Sequence, residues 1–344
     1  MRIMQLTRIV VSGVLVLLFA AMPGVAAAME VYATILPQKY FIERIGGDLV
    51  DVHVLVQPGA NPHMYEPTPK QMAALTRAKV YFAVGVTLED SWLPRIKDAN
   101  SDLVVIHTDA GIEKLSIEAH EHEHGHGYEV HEMHAGHDHA THDHSGHDHA
   151  VHDHDNDHAT HKHGEDDHDS RGHDSHGAEG GMADPHIWLD PLRVKDMAVN
   201  IYNGLVLVDP GNEATYKRNL DTFVVEADAL HAAVQDRLTV LSSANRVFLV
   251  FHPSWGYFAD RYGLTQIAVE EGGNEPSPAH LAKVIRRCRE MGIRVVFVQP
   301  QFSQRSAEVI ASEIGGHVVP LDPLAEDWES NLRKAADAFV AGAQ

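Results

Sequence analysis

The chain has 344 residues, of which 44% are apolar and one is cysteine, and its formal net charge at neutral pH is −22. This acidity argues against a nucleic-acid-binding protein, which needs a basic face. A single cysteine rules out an internal disulfide and a thiolate-rich zinc site, so any bound metal must be held by histidine and carboxylate.

The first 28 residues have the layout of a secretory signal peptide. Two arginines flank a polar start, an apolar run follows over residues 9–21, and three alanines stand just before Met29. The apolar run is shorter than the roughly 20 residues that span a bilayer, which disfavours the alternative of an uncleaved anchor. No cysteine stands near the cut for lipid attachment, so we expect cleavage near Ala28 and a periplasmic mature protein that begins at about Met29.

Strands and helices alternate after the signal peptide. Predicted strands cover residues 30–36, 50–56, 80–84 and 103–107. Predicted helices begin at Pro37 and Pro69, the second with Thr68 as its cap, and a third covers residues 88–99. Such alternation predicts a parallel sheet covered by helices.

Residues 118–181 form a histidine-rich insertion where a loop is expected. Twenty of the 28 histidines lie between His120 and His176, and the triplet His-Asp-His recurs every five residues from His137 to His154. The insertion has 17 acidic residues against two basic ones, a charge of −15. Because neutral imidazole binds zinc, copper and nickel, we interpret the insertion as a disordered segment that collects metal, with a polar linker as the alternative.

A long helix and a second group of strands follow the insertion. Between Asn212 and Leu241 apolar residues recur at steps of three and four, which predicts one amphipathic helix of roughly 45 Å, with two shorter helices as the alternative. Predicted strands then cover residues 247–251, 265–269, 294–298 and 318–321.

The predicted fold is α/β, with two lobes that each contain a four-stranded parallel sheet covered by helices, joined by a long rigid helix. The expected boundaries are 29–211 for the N-terminal lobe, which includes the insertion, 212–241 for the connecting helix and 242–344 for the C-terminal lobe.

Three histidines outside the insertion stand in predicted loops. His63 and His252 each follow a strand, and His186 follows the insertion; Asp322 also stands at a strand end. Parallel sheets bind ligands at the carboxyl ends of their strands, so we expect all four side chains to face a cleft between the lobes. Three imidazoles and one carboxylate form the four-coordinate shell that zinc accepts. The other histidines outside the insertion are interpreted as structural or surface residues: His53, His107, His231, His280 and His317.

Four motifs carry a family resemblance: HMYEPTP at 63–69, DPHIWLDP at 184–191, the His252 loop through Phe258, and EGGNEPSP at 271–278. Taken in order, they resemble the zinc-type substrate-binding proteins of metal ABC transporters, the ZnuA-like group of the metal-binding receptor family. The resemblance covers essentially the whole mature chain. It implies two lobes of four-stranded parallel sheet, a rigid connecting helix and a metal site in the cleft between the lobes.

The same resemblance implies the ligands of that site. His63, His186 and His252 match the ligand histidines of the family, and Asp322 matches its carboxylate ligand. Some zinc members have glutamate immediately before the first histidine, where this chain has Pro62; the difference favours Asp322 or a water as the fourth ligand. Three imidazoles favour zinc over manganese, which prefers oxygen-rich shells.

We therefore expect a periplasmic, monomeric, high-affinity zinc-binding protein that captures Zn²⁺ and delivers it to an inner-membrane ABC permease driven by a cytoplasmic ATPase. We expect no nucleic-acid partner and no catalysis. The alternatives are a zinc storage or buffering protein, a manganese-type receptor or an adhesin of the same fold, and a zinc hydrolase with Glu66 or Asp184 as its base.

Overall fold

The computed structural model describes residues 28–117, 183–270 and 274–343. Three sequence predictions lie wholly or partly outside these ranges: the signal peptide up to residue 27, the histidine-rich insertion, and residues 271–273 of the last family motif. Within the described ranges, none of the helices combines the length and the apolar character needed to cross a membrane.

The first lobe is built on a four-stranded parallel sheet. Its strands are β1 (Met29–Ala33), β2 (Val50–Val54), β3 (Val80–Ala83) and β4 (Val104–His107), in the spatial order β2-β1-β3-β4. Helices α1 (Leu36–Gly46), α2 (Pro69–Leu75) and α3 (Thr87–Ala99) lie between them. All four residues of β3 are buried, as expected for a central strand with helices on both faces.

Two long helices follow the first sheet. They are α4 (Pro191–Val208) and α5 (Glu213–Leu238), and they pack against each other. The buried residues of α5 recur at the predicted steps of three and four, and α5 is one continuous helix of about 39 Å. Helix α4 was not predicted, although Asp190 caps its first turn and Pro191 begins it.

The second lobe repeats the architecture of the first. Its strands are β5 (Val247–Val250), β6 (Thr265–Ala268), β7 (Val295–Val298) and β8 (His317–Pro320), in the order β6-β5-β7-β8. The helices are α6 (Gly256–Tyr262), α7 (Pro278–Glu290), α8 (Gln304–Glu313) and α9 (Trp328–Gly342). The two-lobe α/β prediction is confirmed, and the predicted strands differ from the observed ones by three residues or fewer at each end.

Helix α9 packs on α5 and reaches both lobes. Near its start, the Trp328 ring lies 5.1 Å from the ring of Phe41 in α1 and 6.0 Å from that of Phe223 in α5. Near its end, the Phe339 ring lies 4.2 Å from the ring of Phe248 in β5. The predicted long connecting helix is confirmed as α5, and α9 packs beside it with contacts to both lobes.

The fully buried carboxylate of Asp190 ties the start of α4 to the second lobe. It accepts hydrogen bonds from Arg193 at 2.8 Å and from Arg261 of α6 at 2.7 and 3.0 Å. A buried carboxylate is tolerated only when it is paired in this way. The ion pair holds the segment that precedes α4 against both lobes.

The described residues on either side of the histidine-rich insertion contact each other. Ser116 and Ala183 form an isolated antiparallel bridge, and the amide of Asp184 donates to the carbonyl of Leu115 at 2.7 Å. The hydroxyl of Tyr257 in α6 accepts from the Leu115 amide at 3.0 Å and donates to the Asp184 carbonyl at 2.7 Å. The described chain thus leaves and re-enters the fold beside the second lobe.

Candidate metal centre

Three imidazoles converge in the cleft between the lobes. His63 lies in the loop between β2 and α2, His186 in the segment before α4, and His252 directly after β5. Their ring centroids are 5.1 to 5.7 Å apart, and one ring nitrogen of each lies within 4.8 Å of the others. Because zinc–nitrogen bonds are about 2.0–2.1 Å long, one ion can join nitrogens up to about 4.2 Å apart, so the three rings can share an ion with at most a small shift.

His252 is held on every side. Its amide donates to Gln299 Oε1 at 3.2 Å, and Gln299 Nε2 donates back to the His252 carbonyl at 2.6 Å. Its ring stacks on Phe302 with centroids 4.9 Å apart, and its Nδ1 contacts the carboxylate of Glu270. Nε2 of His252 is buried and has no hydrogen-bond partner, so its lone pair is available to a metal.

His186 is fixed mainly by Asp184, two residues before it. One carboxylate oxygen of Asp184 accepts from the His186 amide at 2.9 Å and lies 2.6 Å from His186 Nδ1. The imidazole also contacts the Trp188 ring, whose Nε1 donates to the Pro323 carbonyl at 2.8 Å. Because Nδ1 is occupied, His186 can offer its Nε2 to the centre.

His63 is held by fewer contacts than the other two histidines. Asn61 Oδ1 accepts from its amide at 2.9 Å, and its Nδ1 lies 3.4 Å from the hydroxyl of Thr87 at the start of α3. The ring is half-buried, and the neighbouring Met64 side chain is 82% exposed. His63 is therefore the least enclosed of the three imidazoles.

Burial keeps the rings of His63 and His252 neutral. Loss of solvent, together with the neighbouring His186 and His252, lowers the pKa of His63 to about 3. Burial also lowers the pKa of His252, although Glu270 acts in the opposite direction. Neutral imidazole is the form that binds metal, so both rings are ready to bind at neutral pH.

The walls of the cavity are mostly apolar. Besides the three histidines, apolar side chains that include Val86, Trp188, Phe302 and Leu324 line it, with Asn61 and Gln301 as the polar exceptions. A hydrophobic shell limits the access of water and strengthens the interaction of an ion with its ligands. The arrangement favours tight binding of a cation over its hydration.

Asp322, the predicted carboxylate ligand, does not join the three histidines. Its Oδ1 accepts from Gln301 Nε2 at 3.0 Å and from the Leu324 amide at 2.9 Å. Asp322 lines a neighbouring cavity together with Glu326, and Gln301 lines both cavities. The role of Asp322 as fourth ligand stays a prediction.

The five remaining histidines outside the insertion lie away from this group. They are in β2, β4, α5, α7 and β8: His53, His107, His231, His280 and His317, respectively. These positions agree with their interpretation as structural or surface residues.

The chain matches the family model described as "Zinc-uptake complex component A periplasmic" over residues 31–342. The high-affinity zinc uptake system protein ZnuA of Bacillus subtilis (strain 168) is 26% identical over 300 residues, which cover 86% of this chain and 78% of the relative. The manganese-binding lipoprotein MntA of Halalkalibacterium halodurans is 23% identical over 312 residues, 88% of this chain and 84% of the relative.

Solved structures of ZnuA are also similar to this chain. A crystal structure of ZnuA is 36% identical, covers 92% of this chain and 100% of its own, and superposes with a TM-score of 0.72. A ZnuA deletion mutant with zinc bound is also 36% identical, with coverages of 92% and 98% and a TM-score of 0.71. The family match spans nearly all of both lobes, and the chain belongs to the family of periplasmic A components of zinc-uptake complexes.

Proposed function

We propose that this protein captures Zn²⁺ in the periplasm and delivers it to an inner-membrane ABC permease driven by a cytoplasmic ATPase. The convergence of His63, His186 and His252 in the cleft is the observation that carries the proposal. Membership of the zinc-uptake family supports it. The cleavable signal peptide and a monomeric state belong to the same proposal.

Zinc is the proposed cargo because the donor set is rich in nitrogen. Three imidazoles suit zinc, whereas manganese prefers carboxylate, carbonyl and water oxygens. A manganese-binding relative exists, but the 36% identical deletion mutant is described with zinc bound. We propose His63, His186 and His252 as ligands, with Asp322 or a water at the fourth position.

Binding and transfer, rather than hydrolysis, is the proposed activity. A zinc hydrolase needs an open coordination position and a general base beside it. Asp184, the strongest candidate base, contacts Nδ1 of His186 and orients that ring. The cavity walls are mostly apolar, which suits an ion held without activated water.

The histidine-rich insertion is proposed as an auxiliary collector. The flanking residues Ser116 and Ala183 pair next to Asp184, two residues before His186, so ions that the insertion collects would be released close to the cleft. Many weak sites tethered next to one tight site raise the local ligand concentration.

Calorimetric titration with zinc and manganese at neutral pH tests the proposal. The chain from Met29 is compared with the same chain lacking residues 118–181. We expect one tight zinc site in both proteins and weaker manganese binding. A storage protein would lose tight binding with the deletion, and a manganese receptor would reverse the order of affinities.

Alanine variants locate the tight site. His63→Ala and His252→Ala should each remove it. His317→Ala is the matched control, since His317 is exposed at the start of β8, and it should bind zinc as the unmodified chain does. Tight binding that survives both cleft substitutions would place the site elsewhere.

A further inference from the structure

We infer that Asp184 and Glu270 are positioning residues that balance the charge of the captured cation without binding it. This inference rests on the proposed function, because it concerns the same three-histidine site. Each carboxylate contacts the Nδ1 of one imidazole, Asp184 that of His186 and Glu270 that of His252. Neither residue was predicted from the sequence to support a ligand.

The contacts select one tautomer of each ring. A carboxylate accepts a hydrogen bond from Nδ1–H, which leaves the lone pair on Nε2. Nε2 of His252, the ring nitrogen that Glu270 does not contact, is buried and has no hydrogen-bond partner. The carboxylates thereby aim two of the three donors at the centre before metal arrives.

The backbone fixes both carboxylates independently of metal. The pairing of β5 and β6 continues past the strands, because the Val269 amide donates to Val250 at 3.0 Å and the Glu270 amide donates to Phe251 at 3.0 Å. This register places Glu270 beside His252. The amide and carbonyl of Asp184 are hydrogen-bonded as described above.

Burial makes the two negative charges effective. The side chain of Asp184 is fully buried and Glu270 is 8% exposed, so solvent screens neither charge strongly. Zn²⁺ bound by three neutral imidazoles keeps its double positive charge within mostly apolar walls. Two carboxylates, each one imidazole ring away, bring the formal sum to zero when a water takes the fourth position.

This arrangement has a consequence for selectivity. A carboxylate bound directly to the ion would also neutralise it, but would add the oxygen donor that manganese prefers. Charge placed behind the imidazoles stabilises a divalent ion without adding a further oxygen donor to the three nitrogens. The pair therefore raises affinity without relaxing the preference for zinc.

The third imidazole provides a comparison. Nδ1 of His63 faces the neutral hydroxyl of Thr87 at 3.4 Å. The Nδ1 partner of this ring is therefore neutral, whereas the Nδ1 partners of His186 and His252 are carboxylates.

Competition between the full mature chain and a high-affinity zinc chelator tests the inference, since the weak sites of the insertion do not compete with such a chelator. We expect Asp184→Asn and Glu270→Gln each to lower zinc affinity by about 10–100-fold, as removal of partners of metal-bound histidines typically does. Glu308→Gln, which removes an exposed carboxylate of α8, is the matched control and should change it by less than about threefold. Melting temperatures of the zinc-free variants show that each still folds.

Conservative variants at Glu270 and Asp184 distinguish the effect of the carboxylate charge on zinc affinity from the effect of side-chain size. Glutamine matches glutamate in size but has no charge, whereas aspartate is shorter and keeps the charge. We expect Glu270→Asp to retain more zinc affinity than Glu270→Gln, and Asp184→Glu to retain more than Asp184→Asn. A merely structural role predicts the reverse order for Glu270.

Two results overturn the inference: unchanged affinity in Glu270→Gln and Asp184→Asn, or better binding by Glu270→Gln than by Glu270→Asp. If one position yields no folded variant, the other decides. Absence of a tight zinc site in the unmodified chain would instead overturn the proposed function, so the two failures are distinguishable.

Discussion

The two lobes have the same strand order but support their histidines differently. His252 follows β5, which lies between β6 and β7, whereas His63 follows β2, which lies at the edge of its sheet. The neighbours of β5 supply Glu270 and Gln299 to His252. An edge strand has one neighbour only, and the His63 loop is held through Asn61 and Thr87 instead. The position of a strand in its sheet thus decides how firmly the ligand at its end is fixed.

Zinc itself should give the largest effect, because both lobes contribute ligands to one site. At a free zinc concentration 1,000 times the Kd, binding should raise the free energy of unfolding by about 4 kcal/mol. The gain should disappear in His63→Ala and in His252→Ala alike. Thermal or urea unfolding with and without zinc measures it, and a gain kept by either variant would assign the ion to one lobe.

In the zinc-free protein, His252→Ala and His63→Ala should lower the free energy of unfolding by different amounts. His252→Ala deprives the buried Glu270 carboxylate of its imidazole partner, and loss of a hydrogen bond to a charged group costs about 2 kcal/mol of unfolding free energy. His63→Ala removes a half-buried ring with one long contact, so we expect a change within about 0.5 kcal/mol. Urea unfolding measures both, and equal losses would show that the lobes support their ligands equally.

The side chains that hydrogen-bond the backbone of the two ligands, Gln299 for His252 and Asn61 for His63, should also contribute unequally to the free energy of unfolding. Gln299→Leu leaves the buried amide and carbonyl of His252 without their partners, which should cost about 1.5 kcal/mol and weaken zinc binding. Asn61→Ala removes the acceptor for the His63 amide in a partly solvated loop, so we expect about 0.5 kcal/mol. Chemical unfolding of the zinc-free variants ranks them; a larger loss for Asn61→Ala would contradict the comparison.

The smallest effect is expected at Met64. Its side chain is 82% exposed although it stands next to a proposed ligand. Met64→Gln should change zinc affinity by less than about twofold, because substitutions at exposed positions usually have small effects. Chelator competition provides the measurement, and a tenfold loss would mean that the first-lobe loop depends on more than Asn61 and Thr87.

Much of the fold could be predicted because its signals are local. The strands are short apolar runs between turn residues, and the steps of three and four along α5 are visible in the sequence itself. The sequence also contains the helix-start signals of α4, the capping Asp190 and the following Pro191, although this helix was not among the predicted elements.

The support of the metal centre could not be predicted, because it depends on strand order. Gln299 and Glu270 approach His252 only because β7 and β6 flank β5. The same order explains the position of Asp322, which follows β8 and is separated from β5 by β7. Neighbouring strands lie about 4.8 Å apart, so a residue two strands away starts roughly 10 Å from His252.

Because Ser116 and Ala183 pair with each other, the fold places no constraint on the number of residues between them. The chain closes on itself there, so residues can be added or removed between the two positions without altering the distance that the fold must span. Each doubling of a flexible loop costs only about 0.6 kcal/mol in closure entropy. The same point would accept a fluorescent reporter domain beside the cleft, which would turn a zinc receptor into a genetically encoded zinc sensor.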